Sequence, residues 1–264
     1  MEVANQQNQA RQRPQRTFAS IAAYLLCLLY AGVLIVGLTL VASIPVMFFP
    51  RLKRVRLTRY CIHMLFRAIV HSWRVMGLFK GDLTTLDSLP GEGPVVVVSN
   101  HPGLMDFIFI ASRLPNAVCI MKSEIAWNPF VGIGARLAGY VPNATSHGLV
   151  RDAVKAVKEG GQVVIFPEGT RTRTAPMDSM TAAFVTIARR AGVPIELVTI
   201  DSNSRFLCKG WPLWRIPAFP IDFWFSRLGA VEPALNREET VVSVRERIQQ
   251  ALADSPGVIT LRED

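Results

Sequence analysis

The sequence lacks the signatures of several common enzyme classes. Its cysteines form no C-x-x-C pair and have no histidine at metal-ligand spacing, which argues against zinc and dithiol sites. The stretch Gly132-Ile133-Gly134 is followed by Leu137 where a dinucleotide fingerprint requires a third glycine, and no phosphate-binding Walker sequence is present. We therefore expect no bound cofactor and no metal. The four cysteines are predicted to be free, reduced thiols: Cys27, Cys61, Cys119 and Cys208.

Acidic residues are almost missing from the N-terminal third of the chain. Residues 1–80 hold 11 Lys and Arg against one acidic residue, whereas residues 81–264 hold 18 against 19. Half of the 264 residues are hydrophobic and 19% are charged, compared with about 25% in an average domain. This composition excludes a disordered chain, a coiled coil and a disulfide-stapled miniprotein. Because the excess basic residues flank an apolar run, they favour lipid headgroups and not a nucleic acid as partner.

That apolar run, Phe18–Phe49, contains no charged residue in 32 positions. One membrane-spanning helix needs about 20 apolar residues, and a signal peptide has an apolar core of only about 7–15, so the run is too long for a signal peptide. Breaks at Gly32, Gly37 or Pro45 would allow a re-entrant hairpin. The sequence leaves a single span and a hairpin open.

Positive charge on both sides of the run predicts the orientation of the chain. The basic flanks are Arg11, Arg13 and Arg16 before it, and Arg51, Lys53, Arg54, Arg56 and Arg59 after it. Since positive charge prefers the cytoplasmic side, the folded body is predicted to face the cytoplasm at a membrane, with a bacterial inner membrane as the expected location.

The segment Thr58–Phe79 has the periodicity of an amphipathic helix. Its apolar positions recur at helical spacing, and basic residues lie between them. Such a helix can lie on the bilayer interface or pack against the folded body, and both alternatives remain open.

Short apolar runs alternate with helical patterns through the rest of the chain, which predicts an α/β fold with a mainly parallel central sheet flanked by helices. The predicted strands are Val95–Ser99, Val118–Met121, Gln162–Phe166 and Ile195–Ile200. The predicted helices are Leu104–Arg113, Pro129–Ala138, His147–Lys158, Asp178–Ala191 and Glu238–Ala253. The domain prediction is a basic tail at 1–17, a membrane-anchoring helical segment at 18–80 and an α/β domain at 81–264.

The first chemically informative segment is Ser99-Asn100-His101-Pro102-Gly103-Leu104-Met105-Asp106, which directly follows an apolar strand. At this spacing Asp106 can accept a hydrogen bond from one imidazole nitrogen of His101 and leave the other nitrogen as a base. General-base help of this kind supplies roughly 10²–10⁴-fold in rate. The spacing alone also fits an alternative without catalysis, in which His101 caps a helix and Asp106 makes a surface contact.

The second segment is Phe166-Pro167-Glu168-Gly169-Thr170-Arg171-Thr172, again directly after an apolar strand. Gly169 allows the backbone to approach a ligand closely, and Arg171 with the threonine hydroxyls can hold phosphate oxygens. The alternative is a tight turn with a local ion pair between Glu168 and Arg171.

In this order, the two segments resemble the glycerolipid acyltransferase family, which includes the 1-acyl-glycerol-3-phosphate acyltransferases. The resemblance covers about residues 90–200. It implies transfer of an acyl group from a thioester, acyl-CoA or acyl-carrier protein, to a hydroxyl, without a metal or an acyl-enzyme. The absence of a G-x-S-x-G elbow agrees. By resemblance, His101 is the general base and Asp106 orients it.

The resemblance also implies a site for the polar head of a lysolipid-like acceptor, formed by Glu168, Gly169, Thr170, Arg171 and Asn143. Asn143, in Gly139-Tyr140-Val141-Pro142-Asn143, stands where members that use lysophosphatidate usually have a phosphate-contacting arginine. A neutral amide does not replace a charge-assisted contact. Arg136 and Lys122 are the candidates to compensate.

This departure leaves other functions open. Lys209-Gly210-Trp211-Pro212 and Arg215-Ile216-Pro217 resemble acyltransferases encoded with aryl-polyene or related lipid pathways, whose acceptor could lack a glycerol phosphate. A non-catalytic membrane partner that keeps the fold is a second alternative, and a thioester or lysolipid hydrolase that uses the same base on water is a third.

Overall fold

The computed structural model of the protein describes residues 16–89, 93–174, 176–212 and 215–257, without the side chains of 38–43. Most of the predicted basic tail at 1–17 lies outside these residues. The helices are α1 (Phe18–Val46), α2 (Arg51–Val75), α3 (Asp106–Ala111), α4 (Ser123–Ala126), α5 (Gly132–Leu137), α6 (Ser146–Lys158), α7 (Ala183–Ala191) and α8 (Arg237–Ala253), with a 3₁₀ turn at Thr84–Leu86. The strands are β1 (Phe79–Lys80), β2 (Val95–Ser99), β3 (Ala117–Met121), β4 (Val141–Pro142), β5 (Gln162–Ile165), β6 (Ile195–Ser202) and β7 (Ile221–Val231).

Within the described residues the strands form one seven-stranded sheet in the order β1-β7-β6-β2-β5-β3-β4. Strand β7 runs antiparallel to β6, and the other neighbouring strands are parallel. This confirms the predicted α/β fold with a mainly parallel sheet. Because β2 lies between β6 and β5, the segments that follow these three strands emerge side by side at one edge of the sheet.

Helices cover both faces of the sheet, as a parallel sheet requires. Alternate residues of a strand point to opposite faces, and β2 divides its valines accordingly. Val95 and Val97 join a core with α1, α2 and α3, whereas Val96 and Val98 join a second core with α6, α7 and α8. The protein therefore has an α1–α2 side and an α6–α8 side, separated by the sheet.

Helices α1 and α2 form an antiparallel hairpin that turns at Met47–Pro50. Tyr24 near the start of α1 stacks edge-on with Trp73 near the end of α2, with ring centroids 6.2 Å apart. The predicted breaks at Gly32 and Gly37 are not used, because α1 continues through both, and Pro45 lies in its last turn. The second arm of the hairpin is thus the basic helix itself and not the second half of the apolar run.

Helix α2 begins at Arg51, earlier than the predicted Thr58, and it packs on the body of the protein. Ile69, Val70 and Trp73 are buried in the core, whereas Leu57 and Met64 remain exposed. The inner face of this helix therefore packs against the folded body, which was one of the two predicted alternatives. Its outer face leaves apolar side chains exposed.

Three of the five basic residues after the apolar run bind the body of the protein. Arg51 forms a 2.7 Å ion pair with Glu159. Arg56 donates to the carbonyl of Glu159, the residue that caps α6, at 3.3 Å. Arg59 donates to the carbonyl of Ala138 at 2.8 Å. The last carbonyls of a helix lack partners inside the helix and carry partial negative charge, which explains why arginines dock there.

The remaining differences between prediction and structure concern the starts of helices and several elements that were not predicted. The predicted helix at Asp178–Ala191 begins only at Ala183, because Asp178 accepts hydrogen bonds from the backbone of Arg173 and Thr174 and so closes the preceding loop. The predicted helix at Pro129–Ala138 begins at Gly132. Three strands, β1, β4 and β7, and the short helix α4 were not predicted.

Candidate active site

The two predicted motifs meet because their strands are neighbours. Strand β2 pairs in parallel with β5, and Val98 lies opposite Ile165 in the register. Both chains leave the sheet at the same edge directly after these residues. The turn at 100–106 and the turn at 166–172 are therefore in contact, and Thr172 donates its backbone N–H to the carbonyl of His101 at 2.8 Å.

Asn100 ties the first turn to the strand on its other side. Its buried side chain donates to the carbonyl of Ile200 at 2.7 Å and accepts from the N–H of Ile200 at 2.9 Å. The amide thereby takes the place of a backbone peptide and extends the pairing of β2 with β6 by one step. This explains why an asparagine precedes the histidine, and it fixes where the turn begins.

His101 and Asp106 form the predicted pair. The Nδ1 of His101 lies 2.8 Å from Oδ2 of Asp106, and the same oxygen accepts from the N–H of Gly103 at 2.8 Å. The Asp106 side chain is 1% exposed and that of His101 is 20% exposed. Burial raises the pKa of the Asp106 carboxyl, and the hydrogen bonds from His101 and Gly103 oppose that rise. The structure thus presents one imidazole edge to solvent and holds the other on a buried carboxyl group.

The imidazole is also fixed from its face. Its ring stacks on Phe166, the first residue after β5, with centroids 4.1 Å apart and an interplanar angle of 18°. Since Phe166 comes from the second motif, both motifs orient the histidine ring.

Glu168 lies behind the histidine and not in the substrate space. Its Oε1 accepts from the backbone N–H of His101 at 2.9 Å and from the hydroxyl of Thr172 at 3.0 Å. Its Oε2 accepts from the N–H of Asp178 at 2.9 Å. Burial raises the pKa of the Glu168 carboxyl, and these three hydrogen bonds oppose that rise. The side chain was predicted to bind the acceptor head or to pair with Arg171, and in the structure it instead joins the two motifs.

The loop after β6 brings residues that the sequence did not place in the site. Arg171 donates from Nη1 to the carbonyls of Leu207 and Cys208 at 2.8 and 3.1 Å, and Lys209 donates to the hydroxyl of Thr170 at 3.1 Å. Leu207 has a φ of +59°, a left-handed conformation that is rare outside glycine. The sequence could have indicated this loop, because it follows β6, a strand that ends at the same edge of the sheet as β2 and β5.

A cleft of about 900 Å³ opens in front of the histidine. Of the predicted site residues, His101, Gly169, Thr170, Arg171 and Asn143 line it, whereas Asp106 and Glu168 lie behind it. The cations that line it are Lys122, Arg171, Arg190, Lys209 and Arg237, and no carboxylate is among its lining residues.

The cations near the histidine are close enough to affect one another. Partial desolvation lowers the pKa of the Lys209 ammonium, and the charges of Arg173, Lys122 and Arg171 lower it further. Lys122 follows β3, and Asn143 follows β4 and donates its backbone N–H to Met121 at 2.7 Å. Arg136, the other residue considered as compensation for Asn143, instead stacks over Trp127 with its guanidinium 5.4 Å from the ring centroid and does not line the cleft. The inner cleft is therefore positively charged.

An apolar pocket of about 270 Å³ adjoins the cleft on the α1–α2 side. Its walls come from α1, α2 and α5, including Ile35, Cys61 and Leu137. Four residues line both spaces: Phe107, Cys119, Met121 and Ile125. An apolar chain in this pocket can thus have its polar end at His101.

Among the described residues, no group of three or more His, Cys, Asp or Glu side chains could hold a metal ion. The four cysteines are unpaired. Burial raises the pKa of the Cys119 thiol to about 12. It also raises the pKa of Cys208 to about 11, with a contribution from the nearby Asp106.

Comparison with known proteins gives a consistent result. Residues 81–201 match the family model described as Acyltransferase. A 1-acyl-sn-glycerol-3-phosphate acyltransferase of Pseudomonas aeruginosa is 24% identical over 160 residues, which is 55% of this chain and 62% of the relative. The human 1-acyl-sn-glycerol-3-phosphate acyltransferase alpha is 31% identical over 129 residues, which is 46% of this chain and 45% of the relative. The chain thus spans about half the length of the curated relatives it matches.

A solved structure shares the fold. The crystal structure of a 1-acyl-sn-glycerophosphate acyltransferase from Thermotoga maritima superimposes with a TM-score of 0.70 and 22% sequence identity, covering 90% of this chain and 97% of that one.

Proposed function

Because residues 81–201 match the model of the Acyltransferase family, we propose that this protein is a membrane-bound O-acyltransferase. It moves a fatty acyl group from a thioester donor, acyl-CoA or acyl-carrier protein, to a hydroxyl of a lysophospholipid-like acceptor. The His101–Asp106 pair at the floor of the cation-lined cleft carries this proposal. Lysophosphatidate is the acceptor that the relatives' names indicate.

The geometry of the pair gives the proton path. With Nδ1 held by Asp106, Nε2 of His101 is the nitrogen left for the acceptor hydroxyl. The hydroxyl oxygen bonds to the thioester carbonyl carbon as its proton passes to Nε2. The carbon–sulfur bond then breaks, and the departing thiolate takes that proton, so that an ester and a free thiol are formed. Asp106 stabilises the imidazolium between these two steps.

The thiols near the cleft do not suit a covalent route. A cysteine attacks as its thiolate, and the pKa values of Cys119 and Cys208, raised to about 12 and about 11, leave both protonated at neutral pH. Direct attack by the acceptor hydroxyl is therefore the step that this site favours.

The inner cations give the acceptor a charged head. Lys122, Arg171 and Lys209 line the cleft together with the His101 ring, and their mutual repulsion is relieved when a phosphate lies between them. Asn143 lines the same cleft and can offer a neutral hydrogen bond. A phosphate-bearing acceptor thus remains the first candidate, although the expected arginine is missing.

The hydrophobic parts of both substrates fit the α1–α2 side. The 20-residue window Phe18–Gly37 is long and apolar enough to cross a bilayer, with a mean hydropathy of 2.3 and 11% of it buried. The 270 Å³ pocket opens between this helix, α2 and α5, so an acyl chain can extend from His101 toward the lipid. The basic residues on both sides of the apolar run, with the larger number after it, favour a cytoplasmic position for the catalytic body.

Asn143 favours a second candidate, an acyltransferase for a specialised lipid of the aryl-polyene type whose acceptor carries no glycerol phosphate. A neutral residue at this position weakens selection for a phosphate. The two candidates share the donor, the base and the reaction, and they differ in the head of the acceptor.

The test uses the full chain in detergent or nanodiscs with lysophosphatidate and either acyl-CoA or acyl-carrier protein. Phosphatidate is expected as product, and His101→Ala should lower the rate by about 10²–10⁴-fold. The matched control is His71→Ala, because His71 is exposed on α2 and lies outside the cleft.

Equal activity of His101→Ala and the control would overturn the catalytic assignment. Transfer to an uncharged monoacyl acceptor but not to lysophosphatidate would establish the second candidate. Release of free fatty acid without any ester product would identify a hydrolase, and a folded protein without any turnover would identify a non-catalytic partner.

A further inference from the structure

Two of the five cations in the cleft stand apart from the histidine. Arg190 is the next-to-last residue of α7 and Arg237 is the first residue of α8, and both line the same cleft as His101. Their side chains are exposed. Across the described part of the chain neither guanidinium forms a hydrogen bond or an ion pair, in contrast to Arg171 and Arg227, which are held by carbonyl and carboxylate oxygens.

The cleft reaches this pair as a groove between α6 and α7. One wall is the first turn of α6, with Leu149 and Val150, and the other is α7, with Ala183 and Thr186. From Ala183 to Arg190 the helix advances about 10 Å. The groove therefore starts at the catalytic sheet edge, has apolar and hydroxyl walls, and ends at two cations that have no ion-pair partner among the described residues. No carboxylate lines the groove, and Glu238 and Glu239, which follow Arg237 in the first turn of α8, are not among its lining residues.

The two ends of the active site lie on opposite sides of the sheet. The apolar pocket belongs to the α1–α2 side, whereas the groove belongs to the α6–α8 side, with His101 at the edge between them. A thioester donor has an apolar end and a polar end in the same order as the site, because its apolar acyl chain is joined through the reacting carbon to a water-soluble carrier. The acceptor differs, because it is a membrane lipid whose head approaches from the α1–α2 side.

We propose that the α6–α7 groove binds the phosphopantetheine arm of the donor, with Arg190 and Arg237 on its phosphate group. The inference rests on the proposed acyl transfer. The planar guanidinium forms paired hydrogen bonds with phosphate oxygens, and two such groups at the end of a groove match an arm that ends in a phosphate group, which is part of a diphosphate in CoA and of a phosphodiester on acyl-carrier protein. Acyl-CoA and acyl-carrier protein share this arm, so the groove serves either carrier.

The division of cations then follows. Lys122, Arg171 and Lys209 surround the reacting groups and the acceptor head, and Arg190 with Arg237 holds the donor away from the reaction. A cleft of about 900 Å³ is at the upper end of the roughly 300–1,000 Å³ of sites for drug-sized ligands. That volume is more than a phosphoglycerol head alone fills, and it accommodates a second polar ligand.

The test compares three donors with the full chain in nanodiscs: acyl-CoA, acyl-carrier protein, and the acyl thioester of N-acetylcysteamine, which lacks a phosphate. The double variant Arg190→Gln, Arg237→Gln is expected to raise the KM for a phosphate-bearing donor by about 10- to 100-fold. The KM for the N-acetylcysteamine thioester and for the acceptor should stay within about twofold. A variant with Arg190→Lys in place of Arg190→Gln keeps the positive charge, and its KM for the phosphate-bearing donor should rise less.

The charge-matched control is Lys155→Gln with Arg245→Gln, two exposed cations outside the cleft. An increase for acyl-CoA, for acyl-carrier protein or for both supports the groove and identifies the carrier it serves. No increase, an equal increase for all three donors, or an increase in the acceptor KM would overturn it.

Direct binding separates this inference from the proposed function. CoA alone is titrated into the wild-type protein and the double variant by calorimetry. Binding that the double variant loses, in a protein that transfers no acyl group, would keep the groove and overturn the proposed function. Turnover with unchanged CoA binding and unchanged donor KM would keep the function and overturn the groove.

Discussion

Glu168 holds the catalytic turn from behind. Its three hydrogen bonds go to the backbone of His101, the hydroxyl of Thr172 and the backbone of Asp178, and it does not line the cleft. A carboxylate in this place fixes where the histidine backbone lies, whereas a carboxylate in the cleft would repel a phosphate. Glu168 is therefore a positioning residue for His101.

Glu168→Gln tests this role. The glutamine keeps one acceptor oxygen and places an NH₂ group opposite the N–H of Asp178, so one buried donor loses its partner at a cost of about 1–3 kcal/mol. We expect kcat to fall roughly 10-fold through displacement of His101 while the acceptor KM stays within about twofold. Steady-state kinetics in both substrates, with Glu246→Gln on the surface of α8 as control, measure this split. A rise in acceptor KM at constant kcat would mean that Glu168 contacts the acceptor and is not a positioning residue.

The residues of the two motifs could be predicted from the sequence. Several other residues that line the cleft with them could not. His101, Asp106, Gly169, Thr170 and Arg171 lie where short-range spacing after a strand places them. Lys209, Arg190 and Arg237 come from separate elements and reach the cleft only through the packing of β6, α7 and α8. No local pattern distinguishes such cations from solvated ones.

At the scale of elements, Arg59 joins the hairpin to the catalytic body. It is 3% exposed, and it donates to the carbonyl of Ala138 after α5 and to the side chain of Asn116 at 2.9 Å. Burial lowers the pKa of its guanidinium to about 10, which still leaves it charged at neutral pH. A buried cation held by two oxygens sets the position of α2 against α5.

Arg59→Met is expected to lower the free energy of unfolding by about 1–3 kcal/mol, because the buried carbonyl of Ala138 and the half-buried side-chain oxygen of Asn116 lose their donor. Lys53→Met, an exposed cation on the same helix, should have little effect. Urea unfolding in detergent, followed by circular dichroism, compares the two. Equal stability of both variants would show that Arg59 contributes nothing to the docking of α2.

Strand β7 shows why part of the fold escaped prediction. Ile221, Phe223 and Phe225 alternate toward the core, which is a strand signal, but Pro212, Pro217 and Pro220 directly before them favour a loop. Pairing with β6, with a register shift at Leu197/Val198, decides the outcome. The parallel strands were predictable because they are buried apolar runs, whereas β7 depends on a partner strand.

At the scale of the whole molecule, exposed apolar side chains cluster on the α1–α2 side. Trp127 and Phe130 are 78% and 60% exposed in the loop before α5, and Val131 next to them shares the apolar pocket with Val46 at the end of α1. The loop thus continues the apolar surface of the hairpin turn. Aromatic residues in such a place favour the membrane interface.

The double variant Trp127→Ser, Phe130→Ser should lower the transfer rate several-fold when the acceptor is in vesicles, because each buried aromatic contributes about 1.5–3 kcal/mol of contact with lipid. In detergent, where the acceptor is not confined to a bilayer, the rate should not change. The control is Leu235→Ser, which removes an apolar side chain that is 90% exposed next to α8. An equal loss in vesicles and detergent would mean that the loop supports the fold and not the membrane contact.

The links between the two motifs also have an evolutionary consequence. The N–H and the C=O of His101 are both bonded to the second motif, through Glu168 and Thr172, and its ring rests on Phe166. A substitution in either segment therefore changes the placement of the same imidazole. The two segments are separated by 59 residues of sequence, 107–165, yet we expect selection to act on them as one unit, while the loops between them can diverge toward new acceptors.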